Sequence, residues 1–331
     1  MKNKSVIALI LTFALCFTSV CPAFAAESIA VKPGGMSWSE SGSVQTTPKP
    51  APSWKKDGNG WWYDRGDGTY PASKFENIGG KTYYFNKSGY MVTGWQQIDR
   101  EWYYFDENGA MQTGWRYLGG TWYYLNGSGV MVTGLQKIGG ATYYFSGSGA
   151  MQTGWQQIGG KWYYFDGSGA MARGWRQLGG TWYYLDGSGV MVTGLQTISG
   201  VGYYFNGSGA METGWKYLGG KWYYFDGSGA MKKGWLNQGG TWYYLNGSGV
   251  MVTGLQMISG VGYYFNGSGA METGWKYLGG KWYYFDSSGG MATNRWVGDY
   301  YLTESGVMAV NTWIGKYYVG SDGKWIPGYK K

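Results

Sequence analysis

From residue 94 the chain alternates aromatic runs with glycine-rich breaks at a constant interval: "GWQQIDREWYYFDENGAMQT", "GWRYLGGTWYYLNGSGVMVT", "GLQKIGGATYYFSGSGAMQT", and onward every twenty residues to about 293. A fixed period of this size marks a repeat architecture. In each unit "WYYF" or "WYYL" reads as a strand of high β-propensity. "DGSG" or "NGSG" then supplies an Asp-Gly or Asn-Gly hairpin turn, and "AMQT" or "VMVT" reads as the return strand. "GG" marks a second turn before the next unit. No stretch keeps a helical period over three turns, so the pattern predicts an all-β chain. One such hairpin cannot bury a core alone. The expected fold is therefore a solenoid of stacked β-hairpins, about twenty residues per repeat, held by contacts between neighbours.

A strand's period of two sorts these residues onto two faces. The fourth position of "WYYF" is always Phe or Leu, as in Phe105, Leu125 and Phe145. That uniform apolar choice predicts the interior, and Tyr103, Tyr123 and Tyr143 share its face. Trp102 and Tyr104 then point the other way. Outward tryptophans repeated along a surface are costly unless covered or binding something. They can pack between neighbouring hairpins. They can also form a three-walled box, two tryptophans from one hairpin and the second tyrosine of the next. Such a box suits a quaternary ammonium ion, which donates no hydrogen bond and is held by π faces. The Met of "GAM" or "GVM" would be a soft fourth wall.

Composition narrows the chemistry. Of 331 residues 63 are glycine, 20% are aromatic, 14% are charged and none is histidine. The formal charge of +8 is spread out, with no basic run beyond pairs such as Lys55-Lys56. It argues against nucleic acid while suiting a polyanionic partner. Without His, and with Cys only at 16 and 21, Ser-His, Cys-His and most zinc arrangements are excluded. Asp106, Asp166, Asp186, Asp226 and Asp286 hold the first turn position, which is Asn126, Asn206 or Ser146 elsewhere. A turn tolerates that exchange and general acid–base catalysis does not. "GSGxM" precedes a strand, so it is no phosphate loop. The expectation is a binding protein rather than an enzyme, with no metal and no cofactor.

Residues 1–26 read as a secretory signal, with Lys2 and Lys4 before an apolar core and "AFAA" as the cleavage site. Residues 27–53 have the Ser/Thr/Pro composition of a disordered linker, with Trp38 as a lone aromatic. The array is expected over 54–320 and a tail over 321–331. Both cysteines fall in the signal, which suits secretion to a Gram-positive surface. With no transmembrane segment and no covalent sorting signal expected, attachment would be noncovalent.

"GWxxxGGxWYYFDxSGAMxTGW" resembles the choline-binding repeats of bacterial surface proteins. "WKKDGNGWWYDRGDGTYPASKFENIGGKTYYFNKSGYM" is similar to the start of the choline-binding modules of autolysin amidases. The resemblance covers residues 54–320. It implies a hairpin solenoid of about three hairpins per superhelical turn, with choline of teichoic or lipoteichoic acid bound between successive repeats. Carried over by position, the boxes are Trp54, Trp62 and Tyr84; Trp95, Trp102 and Tyr124; Trp115, Trp122 and Tyr144; Trp155, Trp162 and Tyr184; Trp175, Trp182 and Tyr204; Trp215, Trp222 and Tyr244; Trp235, Trp242 and Tyr264; and Trp275, Trp282 and Tyr301. The last draws on a shortened copy in which Asp299 replaces a tryptophan. Such proteins also allow a choline-dependent dimer. The alternative is a glucan- or glycan-binding repeat module of a secreted surface protein. Units without tryptophan, at Phe75 with Thr82 and at Leu135, Leu195 and Leu255, recur every third repeat. On a three-hairpin turn they would line one edge, leaving choline on the other two.

Overall fold

The computed structural model describes residues 49–330, so the expected signal, Trp38 and nearly all of the expected linker lie outside the described residues. Among the described residues the regular elements are all strands. They form antiparallel hairpins, from Ser53–Asp57 paired with Gly60–Asp64 to Thr312–Ile314 paired with Tyr317–Val319. The array is all-β, a solenoid of stacked hairpins, as the period predicts.

The assignment of turns within a repeat needs correction. The tight hairpin turn is "GG", and the strand before it is the "GWRYL" segment, to which the aromatic pattern assigns no strand. Gly114–Leu118 pairs with Thr121–Leu125, setting Trp115 opposite Tyr124 and Tyr117 opposite Trp122. Gly119 and Gly120 have φ of 57° and 81°, the two positive values that a two-residue type I′ turn demands. The expected return strand is reduced to one bridge, as in Leu125↔Met131, or to two residues, as in Met211–Glu212.

The "DGSG" segment is instead an Asx-type turn. Asp166 Oδ1 accepts from Ser168 N at 2.9 Å and from Ala170 N at 3.2 Å, and Gly169 N donates to Asp166 O at 2.9 Å. Asn246 accepts in the same way from Ser248 and Val250. Asx turns take either side chain, and this explains the Asp/Asn exchange along the array.

The core is a ladder of one side chain per repeat. Phe85, Phe105, Leu125, Phe145 and their successors to Leu302 and Val319 are fully buried, as strand parity predicts. Described residues up to Gly134, with Gly147–Ala150, form one compact unit, while Leu135–Ser146 and the chain from Met151 form a second. Within each, the stacking contact repeats. Met131 N donates to Trp102 O at 2.8 Å in the first unit, and Met191 N to Trp162 O at 2.8 Å in the second. The expected tail from 321 is drawn into the second unit. Trp325 bridges Val319, Trp325 N donates to Asp299 O at 2.8 Å, and Tyr329 stacks on Tyr318 at 4.3 Å.

Candidate functional site: aromatic cages between hairpins

The type I′ turn fixes the two tryptophans of a hairpin. In Gly94–Ile98 and Glu101–Phe105, Trp95 lies opposite Tyr104 and Gln97 opposite Trp102, so Trp95 and Trp102 share one face. Their rings stand 6.5 Å apart at 82°, two walls of a corner. Trp95 is half-buried and Trp102 is 40% exposed. The third wall is Tyr123 of the following hairpin, 5.0 Å from Trp95. Met131 and Ser148 complete a hollow of about 300 Å³.

The choice of tyrosine therefore needs correction. The structure brings the first tyrosine of the next repeat to the tryptophans. The second packs on its own hairpin's tryptophan where there is one and, in the leucine repeats, on the phenylalanine of the following hairpin. Tyr124 lies 5.2 Å from Trp115, its cross-strand partner. Tyr183, at 5.0 Å, closes the pair Trp155 and Trp162, and Tyr203, at 4.8 Å, closes Trp175 and Trp182. Tyr243, at 5.0 Å, stands beside Trp215 with Trp222, and Tyr263, at 4.8 Å, beside Trp235 with Trp242. The expected partners lie elsewhere: Tyr184 on Trp175 and Tyr244 on Trp235, with Tyr204 against Phe225 and Tyr264 against Phe285. In the first unit Trp115 and Trp122 stand 6.1 Å apart, and in the second Tyr144 stacks on Phe165.

The physical reason is the stacking. Tyr103 and Phe105 do share a face opposite to Trp102 and Tyr104. But successive hairpins lie face to back, so the wall that meets the tryptophans comes from the opposite face of the next hairpin.

Both end cages differ again. The first is lined by Trp54, Trp61, Tyr83, Met91, Glu107 and Asn108, about 300 Å³. Trp62 is not in it. In "GWWYD" Lys56 pairs with Trp61 and Lys55 with Trp62, so Trp61 holds the register of Trp102 and Trp62 that of Tyr103. Trp62 packs on Tyr70 at 6.1 Å, and Tyr84 packs on Phe75 at 4.9 Å. Counting two residues from the turn, rather than matching the "WY" pair, would have found Trp61. The last cage is lined by Trp275, Trp282, Tyr300, Met308 and Asp322, about 360 Å³. Tyr301 lies instead 5.3 Å from Trp296.

One cluster lies outside the sequence expectations altogether. Trp296 lies 5.8 Å from Tyr317, and Tyr317 lies 5.6 Å from Trp325, both near perpendicular. Trp325 takes the register of the methionine, as its hydrogen bond to Asp299 shows. Lys316 Nζ lies 5.4 Å from the Tyr317 ring centroid, so this cluster sits beside an ammonium of its own.

In the repeats at Leu135, Leu195 and Leu255 neither tryptophan wall of the corner is present. Leu135, Leu195 and Leu255 are more than 40% exposed, and Gly202 and Gly262 leave room that Met231 and Met291 fill. The hollow beside Gly262 is lined by Met257, Val261, Met291 and Glu304 with no aromatic wall.

Burial, with Glu101 and Asp99 nearby, pushes the Tyr103 phenol up from its usual value. Burial first, then Asp99, does the same to Tyr84. Among the described residues no cluster of three or more His, Cys, Asp or Glu side chains gathers to hold a metal, and no helix is long and apolar enough to cross a membrane. The arrangement can surround a small apolar cation.

A β-hairpin solenoid with aromatic corners between repeats defines the class. The chain belongs to the choline-binding repeat family, which matches at 92–133, 132–156, 152–193, 212–253 and 252–296, and again at 291–325. A putative cell wall binding repeat matches at 73–91 and 193–211. The chain is similar to CbpJ from Streptococcus pneumoniae TIGR4, 33% identical over 76% of this chain and 99% of that one, TM-score 0.48. It is similar as well to choline binding protein F from Streptococcus pneumoniae, 35% identical over 76% and 98%, TM-score 0.45. A lysozyme of Streptococcus phage Cp-1 is 52% identical over 33 residues, and the match spans 10% of either chain.

Proposed function

We propose that this protein holds to a bacterial cell wall noncovalently, by capturing choline groups of teichoic or lipoteichoic acid in its aromatic cages. The observation that carries the reading is the recurring corner of two tryptophans at 6.1–6.5 Å, crossed by the next hairpin's tyrosine and floored by methionine. A trimethylammonium group has no N–H to satisfy, so π faces and a thioether meet its needs fully. One cation–π contact contributes about 0.5–2 kcal/mol, and association costs offset much of three such contacts. A single cage is thus weak. A polymer bearing many cholines engages several at once, which multiplies affinity by about 10²–10⁴.

The test is retention of the full chain on a choline-bearing matrix and its release by free choline. Retention on dextran, indifferent to choline, would favour the glycan-binding reading instead. Secretion through residues 1–26 and a choline-dependent dimer belong to the same proposal. Export of a reporter fused to the segment tests the first, and sedimentation with and without choline tests the second.

A further inference from the structure

The end cages differ from the others in one respect that aromatic counting hides. The roof of a cage comes from the "DGSG"-type turn two hairpins further on. Over Trp95 and Trp102 that roof is Ser148, and the same turn register holds Ser168, Ser208, Ser228, Ser268 and Ser288 along the array. Over Trp54 and Trp61 the roof is Glu107 with Asn108, from "DENG". Over Trp275 and Trp282 it is Asp322, from "GSDG". These two roofs each add an acidic residue to the lining of the hollow, Asp322 in the register of the inner serines and Glu107 one position earlier, where a turn such as that of Ser148 carries a glycine, Gly147.

We propose that Glu107 and Asp322 are choline-binding residues, carboxylate walls that hold the cation by charge in the first and last cages. The inference rests on the choline reading above. A quaternary ammonium cannot accept or donate a hydrogen bond, so a serine roof offers it little. A carboxylate attracts it at contact range, and that attraction is modest and salt-sensitive because the site is open to water. In the first cage the carboxylate has a further task. Lys56 Nζ lies 5.5 Å from the Trp61 ring centroid, so an incoming cation meets a like charge that Glu107 offsets. In the last cage Asp322 Oδ1 also accepts from Lys324 N at 2.9 Å. Asparagine at 322 preserves that turn bond and removes the charge alone.

The experiment titrates choline into the full chain, followed by tryptophan fluorescence and calorimetry at low salt and in about 1 M NaCl. The comparison is with Glu107→Gln, Asp322→Asn and the double variant. Each single change should weaken one bound equivalent by about threefold to fivefold at low salt. High salt, where the screening length is about 3 Å, should bring all curves together. Double-variant curves that overlay the unchanged chain at low salt overturn the proposal. A chain that binds no choline in any form would bring down the cage reading itself, and this proposal with it.

Discussion

Tyr123 stands 5.0 Å from the Trp95 ring, while Tyr124, its neighbour in sequence, stands 5.2 Å from Trp115. Adjacent tyrosines of one strand thus serve different hairpins, the first closing a cage and the second supporting a tryptophan of its own sheet. Tyr123→Ala should weaken one choline site by about tenfold, the loss of one ring face, with little change in unfolding midpoint. Tyr124→Ala should do the reverse, lowering stability by about 1 kcal/mol through the lost cross-strand aromatic pair. Choline calorimetry and urea unfolding of the two variants separate the roles. Equal effects of the two changes on binding would contradict the face-to-back arrangement.

Much of this was legible in the sequence, because a solenoid writes its core once per repeat. The invariant Phe or Leu of "WYYF" marked the buried ladder, and the pair Trp95 and Trp102 with its copies along the regular array marked two walls of each inner corner, while at the first hairpin Trp62 was expected where Trp61 stands. Two things were not legible. Strand parity says which residues share a face, but not which face of the next hairpin is met, and that decides Tyr123 over Tyr124. "GG" and "DGSG" are both good turns, and only the pairing of Gln97 with Trp102 shows which one closes the hairpin.

Retention on a polymer should degrade gradually. Trp102→Ala removes one wall of one cage among several, so it should lower retention on a choline matrix only modestly. Stepwise addition of Trp162→Ala, Trp182→Ala and Trp222→Ala should then lower the choline concentration needed for release at each step. Full loss from Trp102→Ala alone, in a chain that still folds, would argue against avidity.

Glycine in the turn is a packing requirement as well as a conformational one. Gly149 has φ of +80°, and a Cβ there would fall 2.2 Å from the Sδ of Met131, which floors the Trp95 cage. Gly149→Ala combines left-handed strain of about 1–2 kcal/mol with overpacking of about 1–3 kcal/mol. It should lower the unfolding midpoint and loosen one choline site together. At Gly147, two residues earlier, an added Cβ would meet nothing within 4 Å, so Gly147→Ala should leave both nearly unchanged. Differential scanning calorimetry of the pair reads the contrast.

Acid should unfold the array through its turns. The hydrogen bond from Ser168, followed by the backbone donors Ser168 N and Ala170 N, holds the Asp166 carboxyl below its ordinary 3.8 despite an opposing desolvation. Ser228 and Ser288 do the same for Asp226 and Asp286. A carboxyl depressed in the folded state stabilises it above the ordinary value, and that contribution is lost as pH falls through the lowered one. Stability should therefore be flat above about pH 5 and fall below about 3.8. Ser168→Ala should return Asp166 toward 3.8 and flatten part of that acid limb. A tryptophan-fluorescence titration with an unchanged acid limb in the variant would reject the assignment.

The repeats without tryptophan allow the cage to be tested by building one. Leu195 and Gly202 hold the registers of Trp95 and Trp102, and Tyr223 holds that of Tyr123. The backbone is already in place, since Met231 N donates to Gly202 O at 2.8 Å as Met131 N does to Trp102 O. What obstructs is the Met231 side chain, whose Cε and Cβ lie 2.9 and 3.1 Å from a Cβ at 202. An unbranched side chain can swing aside, and its counterpart Met131 lines a cage beside Trp102. Leu195→Trp with Gly202→Trp should therefore raise the choline stoichiometry by one equivalent while costing some stability. Leu195→Trp alone should not, because a single tryptophan with one tyrosine makes no enclosed corner. A double variant that folds, shows both new indoles by fluorescence and binds no additional choline would mean that two tryptophans and a tyrosine in this register are not sufficient for a site.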